Sequence, residues 1–175
     1  MAQKQEYIVN PFTIIADTRE NHPFSFRGFK ADAPYQDLPL LVPIESGTLQ
    51  TGDYSVKGFE RRISVERKSA SDAYSTFGPQ NRDRFERELE RLNQMDFAAV
   101  VVEASWGSLI HDPPPHTRFT PKSFFRSVIA WNIRFPKVHF EMCADRGFAE
   151  RMTLRWLQRF WLDEQERLKA ARKGA

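Results

Sequence analysis

The sequence predicts an α/β fold in which a mixed β-sheet lies between helices. Short apolar segments typical of buried strands alternate with longer segments in which apolar residues recur at helical spacing. The run Phe97–Val102 has the length and composition of a central strand. The 175 residues suffice for one compact domain and leave little room for a second. This alternation in one small domain favours a sheet covered by helices.

The first half of the chain is predicted to contain most of the strands. Its elements are, in order, a buried strand at 13–17, a loop rich in proline and aromatic residues at 21–37, a strand at 40–44, a hairpin from Gly52 to Lys68 that turns near 57–59, and a helix that begins at Ser69.

The second half is predicted to be mainly helical. Its elements are a helix within 81–95, the strand Phe97–Val102, a stiff loop at 112–115, a helix capped by Thr120, a strand at Val138–Met142 and a long helix at 146–171. On one helix we expect a buried stripe of Phe124, Phe125, Val128, Ile129, Trp131 and Phe135. On the last helix we expect a broad apolar face of Phe148, Met152, Trp156, Leu157, Phe160, Trp161 and Leu168. On the last helix, Trp156, Phe160 and Trp161 can pack against the domain's own sheet or against a second copy.

The composition excludes several classes of protein. Cys143 is the single cysteine, so there is no intramolecular disulfide framework and no cysteine-based zinc cluster. The sequence contains no P-loop, G-x-G-x-x-G or G-x-S-x-G. It therefore has none of these motifs for nucleotide-driven chemistry or for acyl transfer. The net charge of +3 permits nucleic-acid binding without requiring it. His111 and His116 flank a proline run, where we expect loop residues and not metal ligands.

The predicted hairpin brings two carboxylates and an ammonium group together. Residues two apart on a strand point to the same face, so Glu66 and Lys68 project together while Arg67 points away. The turn returns Asp53 beside them. Carboxylate oxygens bind hard divalent cations such as magnesium, and a lysine nearby can stabilise a developing oxyanion. This combination is typical of metal-assisted phosphodiester hydrolysis.

An isolated E-x-K is more often an exposed row of ion pairs on a strand, because short motifs match by chance. Three further features accompany it here. Asp17 ends an earlier strand, Gly52 precedes Asp53, and Asp72 lies four residues after Lys68. Acids at these positions converge on one edge of a sheet, so the set as a whole favours a catalytic site.

The combined motif resembles the nuclease domain of the XPF family of structure-selective DNA endonucleases. The hallmark of that family is D-x-R-E, then G-D, then E-R-K-x-x-x-D, and residues 17–20, 52–53 and 66–72 fill every position. The resemblance extends from about residue 14 to residue 103, and more loosely through 121–135. It implies a restriction-endonuclease-like (PD-(D/E)xK) core that cleaves DNA with magnesium or manganese.

The resemblance also implies individual roles. Asp17, Asp53 and Glu66 match the acids associated with metal binding. Lys68 matches the catalytic lysine, which orients or helps to deprotonate the attacking water, or stabilises charge in the transition state.

The outer positions of the motif have two interpretations each. Arg67, Asp72 and Arg19 match the remaining catalytic positions, although Arg19 also suits a loop salt bridge with Glu20. Asp72 equally suits the N-terminus of a helix. Arg84 resembles an arginine of the family that contacts a phosphate or braces the site.

Two further acids also have alternative interpretations. Glu88 lies four residues after Arg84, which is the spacing of an ordinary surface ion pair. Glu103, at the end of its strand, is either a further site acid or a solvated residue.

Contacts to DNA are expected mainly at the hairpin tip. Lys57, Arg61 and Arg62 cluster there and can position phosphates without reading the sequence of the bases. Arg84 is a further candidate on the helix that follows.

We expect an N-terminal extension at 1–12 and a single nuclease domain at 13–175, with the hallmark core at 14–103 and a helical part at 121–172. The later part of the sequence contains none of the glycine-containing hairpins of helix-hairpin-helix modules. In this respect it resembles the stand-alone nuclease domains found in bacteria and phages. The residues lack an apolar secretory signal or membrane span, so we expect a cytoplasmic protein. The predicted partners are DNA and, as a possibility, a second copy.

The leading hypothesis is a magnesium- or manganese-dependent DNA endonuclease that selects branched or flapped DNA. The alternative is a non-catalytic DNA-binding or scaffold protein that retains the nuclease fold.

Overall fold

The computed structural model describes residues 6–115 and 117–173. Its strands are β1 (Ile8–Val9), β2 (Ile14–Asp17), β3 (Leu40–Leu41), β4 (Ile44–Gly47), β5 (Tyr54–Val56), β6 (Ile63–Lys68), β7 (Phe97–Val102) and β8 (Val138–Met142). Its helices are α1 (Ala70–Phe77), α2 (Arg82–Leu92), α3 (Trp106–His111), α4 (Pro121–Arg134) and α5 (Arg146–Lys173).

Six strands form the central sheet, in the order β4-β2-β5-β6-β7-β8. All of them run in one direction except β5, which is antiparallel to β2 and β6. β1 and β3 pair separately. The prediction of a mixed sheet flanked by helices is confirmed, and the parallel strands end at a common edge.

One face of the sheet is covered by α1, α2 and α4. Phe77, Phe85 and Trp131 come from these three helices and pack with Val100 of β7 in one apolar cluster. The rings of Phe77 and Trp131 meet edge to face with centroids 5.1 Å apart. This aromatic layer fixes α2 against the face of the sheet to which Glu66 belongs.

The opposite face is covered by α5. Leu157 packs with Val65 of β6, and Trp156, Phe160 and Trp161 lie against the same cluster. These three aromatic residues therefore contact the domain's own core. Within residues 6–115 and 117–173, no helix is both long enough and apolar enough to cross a bilayer.

The prediction of a single strand at 40–44 is wrong. β3 ends at Leu41 and pairs with β1, whereas β4 begins at Ile44 and pairs with β2. Pro43 lies between them, and proline has no N–H to continue a ladder. Its carbonyl accepts a hydrogen bond from the N–H of Ile14 at 2.9 Å, which directs the chain into the central sheet.

The buried stripe of α4 is narrower than predicted, and the apolar face of α5 is partly exposed. Phe125 and Ile129 of α4 are each 44% exposed, and Phe148 and Leu168 of α5 are each 48% exposed. A helix that packs on a sheet buries only one arc of its surface, so apolar residues at the edges of that arc remain outside. The predicted burial of Phe125 and Ile129 is therefore wrong.

The helix α3 was not among the predicted elements. Its N-cap is Ser105, whose hydroxyl accepts a hydrogen bond from the N–H of Ser108 at 3.1 Å. His111 therefore ends a helix instead of lying in the expected loop. His116 lies outside the described residues.

Candidate active site

The strand ends that carry the predicted acids meet at one edge of the sheet. β2 and β6 both run antiparallel to β5, so their C-terminal ends lie beside the N-terminal end of β5. The N–H of Asp17 donates to the carbonyl of Asp53 at 2.8 Å, and the N–H of Asp53 donates to the carbonyl of Val65 at 2.9 Å. Asp17, Asp53 and Glu66 therefore stand on three adjacent strands.

Gly52 allows the chain to enter β5 close to β6. Its φ of +77° favours glycine, and a Cβ atom at this position would overlap the side chain of Ser64. The Ser64 hydroxyl donates to the carbonyl of Thr51 at 2.9 Å. This close approach places the Asp53 carboxylate where its Oδ2 accepts a hydrogen bond from the N–H of Arg67 at 2.7 Å.

Lys68 forms an ion pair with Glu66 on the face of the sheet covered by α2. The Lys68 Nζ donates to Glu66 Oε1 and lies 5.8 Å from the centroid of the Phe85 ring. Burial lowers the pKa of Lys68, but the charges of Glu66 and Asp53 outweigh it and raise the pKa to about 12. Lys68 is therefore an ammonium group at neutral pH, as charge stabilisation requires.

Asp53 shares its surroundings with a second carboxylate. Burial and the charge of Glu66 raise the pKa of Asp53 to about 8, against the opposing effects of the Arg67 N–H and Lys68. The two acids share the Lys68 ammonium group, so keeping both of them charged is costly without a further cation. The donor set therefore fits a hard divalent cation, which prefers carboxylate oxygens.

The Asp17 carboxylate accepts hydrogen bonds from Arg19 and from the backbone of Leu49. Its Oδ1 accepts from the N–H and Nε of Arg19 at 2.8 and 2.7 Å, and its Oδ2 accepts from the N–H of Leu49 at 2.7 Å. Burial raises the pKa of Asp17, but these bonds outweigh it and lower the pKa below the ordinary value. In this arrangement the buried Asp17 carboxylate forms an ion pair with the exposed Arg19 side chain beside the site.

Within the described residues, no three His, Cys, Asp or Glu side chains are close enough together to hold a metal ion as they stand. Asp53 and Glu66 are the acids that the sheet brings together beside Lys68. A third predicted ligand, Asp17, is engaged by Arg19.

Arg67 points to the opposite face, as the alternation of β6 predicts. Its Nε and Nη2 donate to the two oxygens of Glu103 at 2.8 Å each, and its Nη1 lies 3.6 Å from the carboxylate of Glu20. Arg146 of α5 also donates to Glu103, at 2.7 Å. Arg67 therefore ties β6 to β7 and to the loop after β2, and Glu103 is a buried partner, not a solvated strand end.

A cleft of about 360 Å³ opens beside Asp53, Glu66 and Lys68. Its wall includes Arg84, Glu88 and Arg91 of α2, together with Arg19. No ion pair links Arg84 to Glu88 in the described part of the chain, and the i,i+4 pair on α2 joins Arg82 to Glu86 at 3.0 Å. The arginine side chains therefore add positive charge to the rim of an acidic site.

Two groups of predicted residues lie outside this cleft. The hairpin tip with Lys57 and Arg62 is at the opposite end of β6 from Lys68, where Lys57 pairs with Glu45 at 2.7 Å. Arg62 pairs at this end with acids on two other elements, and Arg61 belongs to the same tip.

Asp72 belongs to the start of α1. Its N–H donates to the hydroxyl of the N-cap Ser69 at 3.1 Å, and that hydroxyl donates to the Asp72 carboxylate at 2.6 Å. This is the hydrogen bonding of a helix N-terminus. Asp72 does not line the cleft.

Sequence reasoning missed part of the cleft wall. Glu88 and Thr51 line it, although neither of them belongs to the motif. Burial and the charge of Glu66 raise the pKa of Glu88 to about 7. The available signal was the helical spacing of Phe85 and Leu89, which orients α2 on the sheet and turns Glu88 toward Glu66.

The strand order and the helices on both faces define a restriction-endonuclease-like fold. The ERCC4 domain model matches residues 16–158, and the chain therefore belongs to the ERCC4 domain family of DNA nucleases.

Two solved structures share the fold. XPF from Aeropyrum pernix matches with a TM-score of 0.58 and 18% identity over 92% of this chain and 69% of that chain. The same archaeal protein in complex with DNA gives a TM-score of 0.58 and 17% identity, over 87% of this chain and 66% of that chain. At these identities the likeness establishes the fold. No curated protein sequence matches the chain.

Proposed function

We propose that this protein is a magnesium- or manganese-dependent DNA endonuclease that hydrolyses phosphodiester bonds in branched or flapped DNA. The observation that carries the proposal is the convergence of Asp53, Glu66 and Lys68 in one cleft at the edge of the sheet. The membership of the ERCC4 domain family supports the same chemistry. A cytoplasmic location remains a prediction from the sequence.

Asp53 and Glu66 are the residues that would hold the cation. A divalent cation there would polarise the phosphodiester and lower the pKa of a water molecule. The Lys68 ammonium group, fixed by Glu66, stabilises the negative charge that develops on the phosphate oxygens. Arg67 keeps the strand that carries both residues in place through Glu103.

Arg84 and Arg91 are the arginines best placed to hold the DNA backbone. Both line the cleft, and guanidinium groups bind phosphate oxygens in a planar geometry. The archaeal relative was solved in complex with DNA, which supports DNA as the substrate class. Contacts of this kind position a duplex without reading its sequence, so selectivity would depend on the shape of the DNA.

A homodimer is part of the proposal. Phe125, Ile129 and Ile133 are 44%, 44% and 79% exposed and lie four residues apart, so they form one apolar stripe on α4. Sedimentation velocity of Ile129→Lys tests this surface, with Leu168→Lys on α5 as the matched control. Loss of the dimer in the first variant alone supports the α4 surface, and a monomeric wild type contradicts the homodimer.

The experiment that tests the activity is a cleavage panel with flap, junction, duplex and single-stranded DNA in magnesium, manganese or EDTA. We expect metal-dependent cleavage that favours flaps and junctions. Lys68→Ala should lose the cleavage and Lys137→Ala should retain it, because Lys137 is exposed at the opposite end of the sheet. Tight DNA binding without cleavage in either metal would favour the alternative of a non-catalytic scaffold.

A further inference from the structure

We propose that Glu88 supplies, from α2, a third carboxylate to the divalent-cation site formed by Asp53 and Glu66. This inference rests on the proposed metal-dependent function. It adds a residue outside the hallmark motif, contributed by a helix and not by the sheet.

The packing of α2 directs Glu88 into the cleft. Phe85 and Leu89 are 1% and 0% exposed and hold one side of α2 against the sheet. Glu88 lies between them in the sequence and lines the same cleft as Asp53 and Glu66. The Lys68 ammonium group lies over the Phe85 ring, so the positive charge of the site borders the same turn of α2.

Glu88 has no structural task that accounts for its position. In residues 6–115 and 117–173, no ion pair or side-chain hydrogen bond engages its carboxylate, and the ion pairs of α2 belong to Glu86 and Glu90. A partly buried carboxylate without a partner is costly to keep charged. Among the described residues, Glu88 is not close enough to Asp53 and Glu66 to share a cation as it stands. A change of rotamer of its long side chain would bring the carboxylate toward Glu66.

A second observation in the cleft also indicates a ligand. Thr51 is 4% exposed and lines the cleft, and its hydroxyl is one of the buried groups without a hydrogen-bond partner among the described residues. A buried hydroxyl next to a cation site can be satisfied by a water molecule of the cation. The cleft therefore contains an unpaired acid and an unpaired hydroxyl close to two predicted ligands.

Manganese binding to the DNA-free protein tests the inference without a measurement of nuclease activity. Free Mn²⁺ is measured by electron paramagnetic resonance at pH 7.5 for the wild type, Glu88→Gln, Glu88→Asp, Glu66→Gln and the control Glu90→Gln. Glu90 is on the same helix and pairs with Arg134 at the surface, so its variant makes the same charge change away from the cleft. We expect Glu88→Gln to weaken Mn²⁺ binding about 10- to 100-fold and Glu90→Gln to leave it unchanged.

The other variants separate the possible failures. If Glu66→Gln loses Mn²⁺ and Glu88→Gln does not, the proposed metal site stands and the role of Glu88 is refuted. If neither variant changes binding, the proposed function fails together with this inference. Wild-type affinity for Mn²⁺ in Glu88→Asp would also refute the inference. A direct ligand needs the full length of the glutamate side chain to reach the cation, whereas a charge that acts from a distance does not.

Thermal unfolding shows that the variant is folded. In EDTA we expect Glu88→Gln to unfold at or above the wild-type midpoint, because no partner is lost. Added Mn²⁺ should raise its midpoint less than that of the wild type. An equal rise in both proteins would overturn the inference.

Discussion

The carboxylate of Asp53 accepts a hydrogen bond from the backbone N–H of Arg67 at 2.7 Å. This bond joins the residue before β5 to the end of β6. Arg67 lies between Glu66 and Lys68, whose side chains line the cleft. It also holds one carboxylate oxygen of Asp53 in place. The geometry of the candidate site therefore depends on how closely the residue before Asp53 can approach β6.

Gly52→Ala should destabilise the protein more than Gly58→Ala. Both glycines have positive φ, but a Cβ at Gly58 has no atom within 4 Å, whereas a Cβ at Gly52 overlaps Ser64. We expect a loss of about 1–2 kcal/mol for Gly58→Ala from its backbone conformation. Gly52→Ala should lose about 1–3 kcal/mol more from overpacking. Urea unfolding measures both, and equal losses would contradict the proposed close approach.

Asp53→Asn should change how the stability of the metal-free protein depends on pH. The carboxyl has an ordinary pKa of 3.8 when unfolded and about 8 when folded. Between these values the folded state binds more protons, so the contribution of Asp53 to the free energy of unfolding falls as pH rises. In EDTA we expect the variant to exceed the wild type at pH 8, with a difference that shrinks toward pH 5. If the free energies of unfolding of the variant and the wild type change in parallel with pH, this prediction is contradicted.

Arg67→Met should be strongly destabilising. It breaks the ion pairs of Arg67 with Glu103, which keeps Arg146 as a partner, and with Glu20. Breaking a buried ion pair costs about 3–5 kcal/mol. Arg159→Met, in which an exposed i,i+4 pair with Asp163 is lost, should unfold close to the wild type. Chemical denaturation compares the two. A small effect for Arg67 would mean that it does not brace the strand ends.

The parts of the fold that the sequence predicted well depend on local signals. Phe97–Val102 is a strand because six apolar residues suit a position buried on both faces, and Thr120 begins α4 because its hydroxyl accepts from the N–H of Ser123. Asp53 and Glu66 meet because β5 and β6 are consecutive strands joined by a short turn. These features require no knowledge of distant contacts.

The parts that the sequence did not predict depend on tertiary contacts. Helical spacing shows that Phe125 belongs to an apolar stripe, but only the packing of α4 on the sheet decides that it stays outside. The break at Pro43 depends on which strand β2 selects as its neighbour. The position of Glu88 in the cleft follows from the orientation of α2 and not from its spacing to Arg84.

Replacing Arg84 and Arg91 by alanine should weaken DNA binding more than replacing Lys57 and Arg61. The first two line the cleft, whereas the second two lie at the far end of β6, where Lys57 is paired with an acid. For every phosphate that is no longer neutralised, the slope of log affinity against log salt should fall by about 0.9. Fluorescence anisotropy with a labelled duplex in EDTA measures this slope. A larger effect at the hairpin tip would support the contact surface expected from the sequence.

Single-turnover cleavage of flapped DNA by the wild type, Lys68→Met and Lys137→Ala is the most direct test of the proposed catalytic site. We predict cleavage in magnesium that EDTA abolishes, a rate at least about 100-fold lower for Lys68→Met, and an unchanged rate for Lys137→Ala. Cleavage that persists in EDTA, or a Lys68→Met variant that cuts as fast as the wild type, would contradict the assignment of Asp53, Glu66 and Lys68 to metal-dependent hydrolysis.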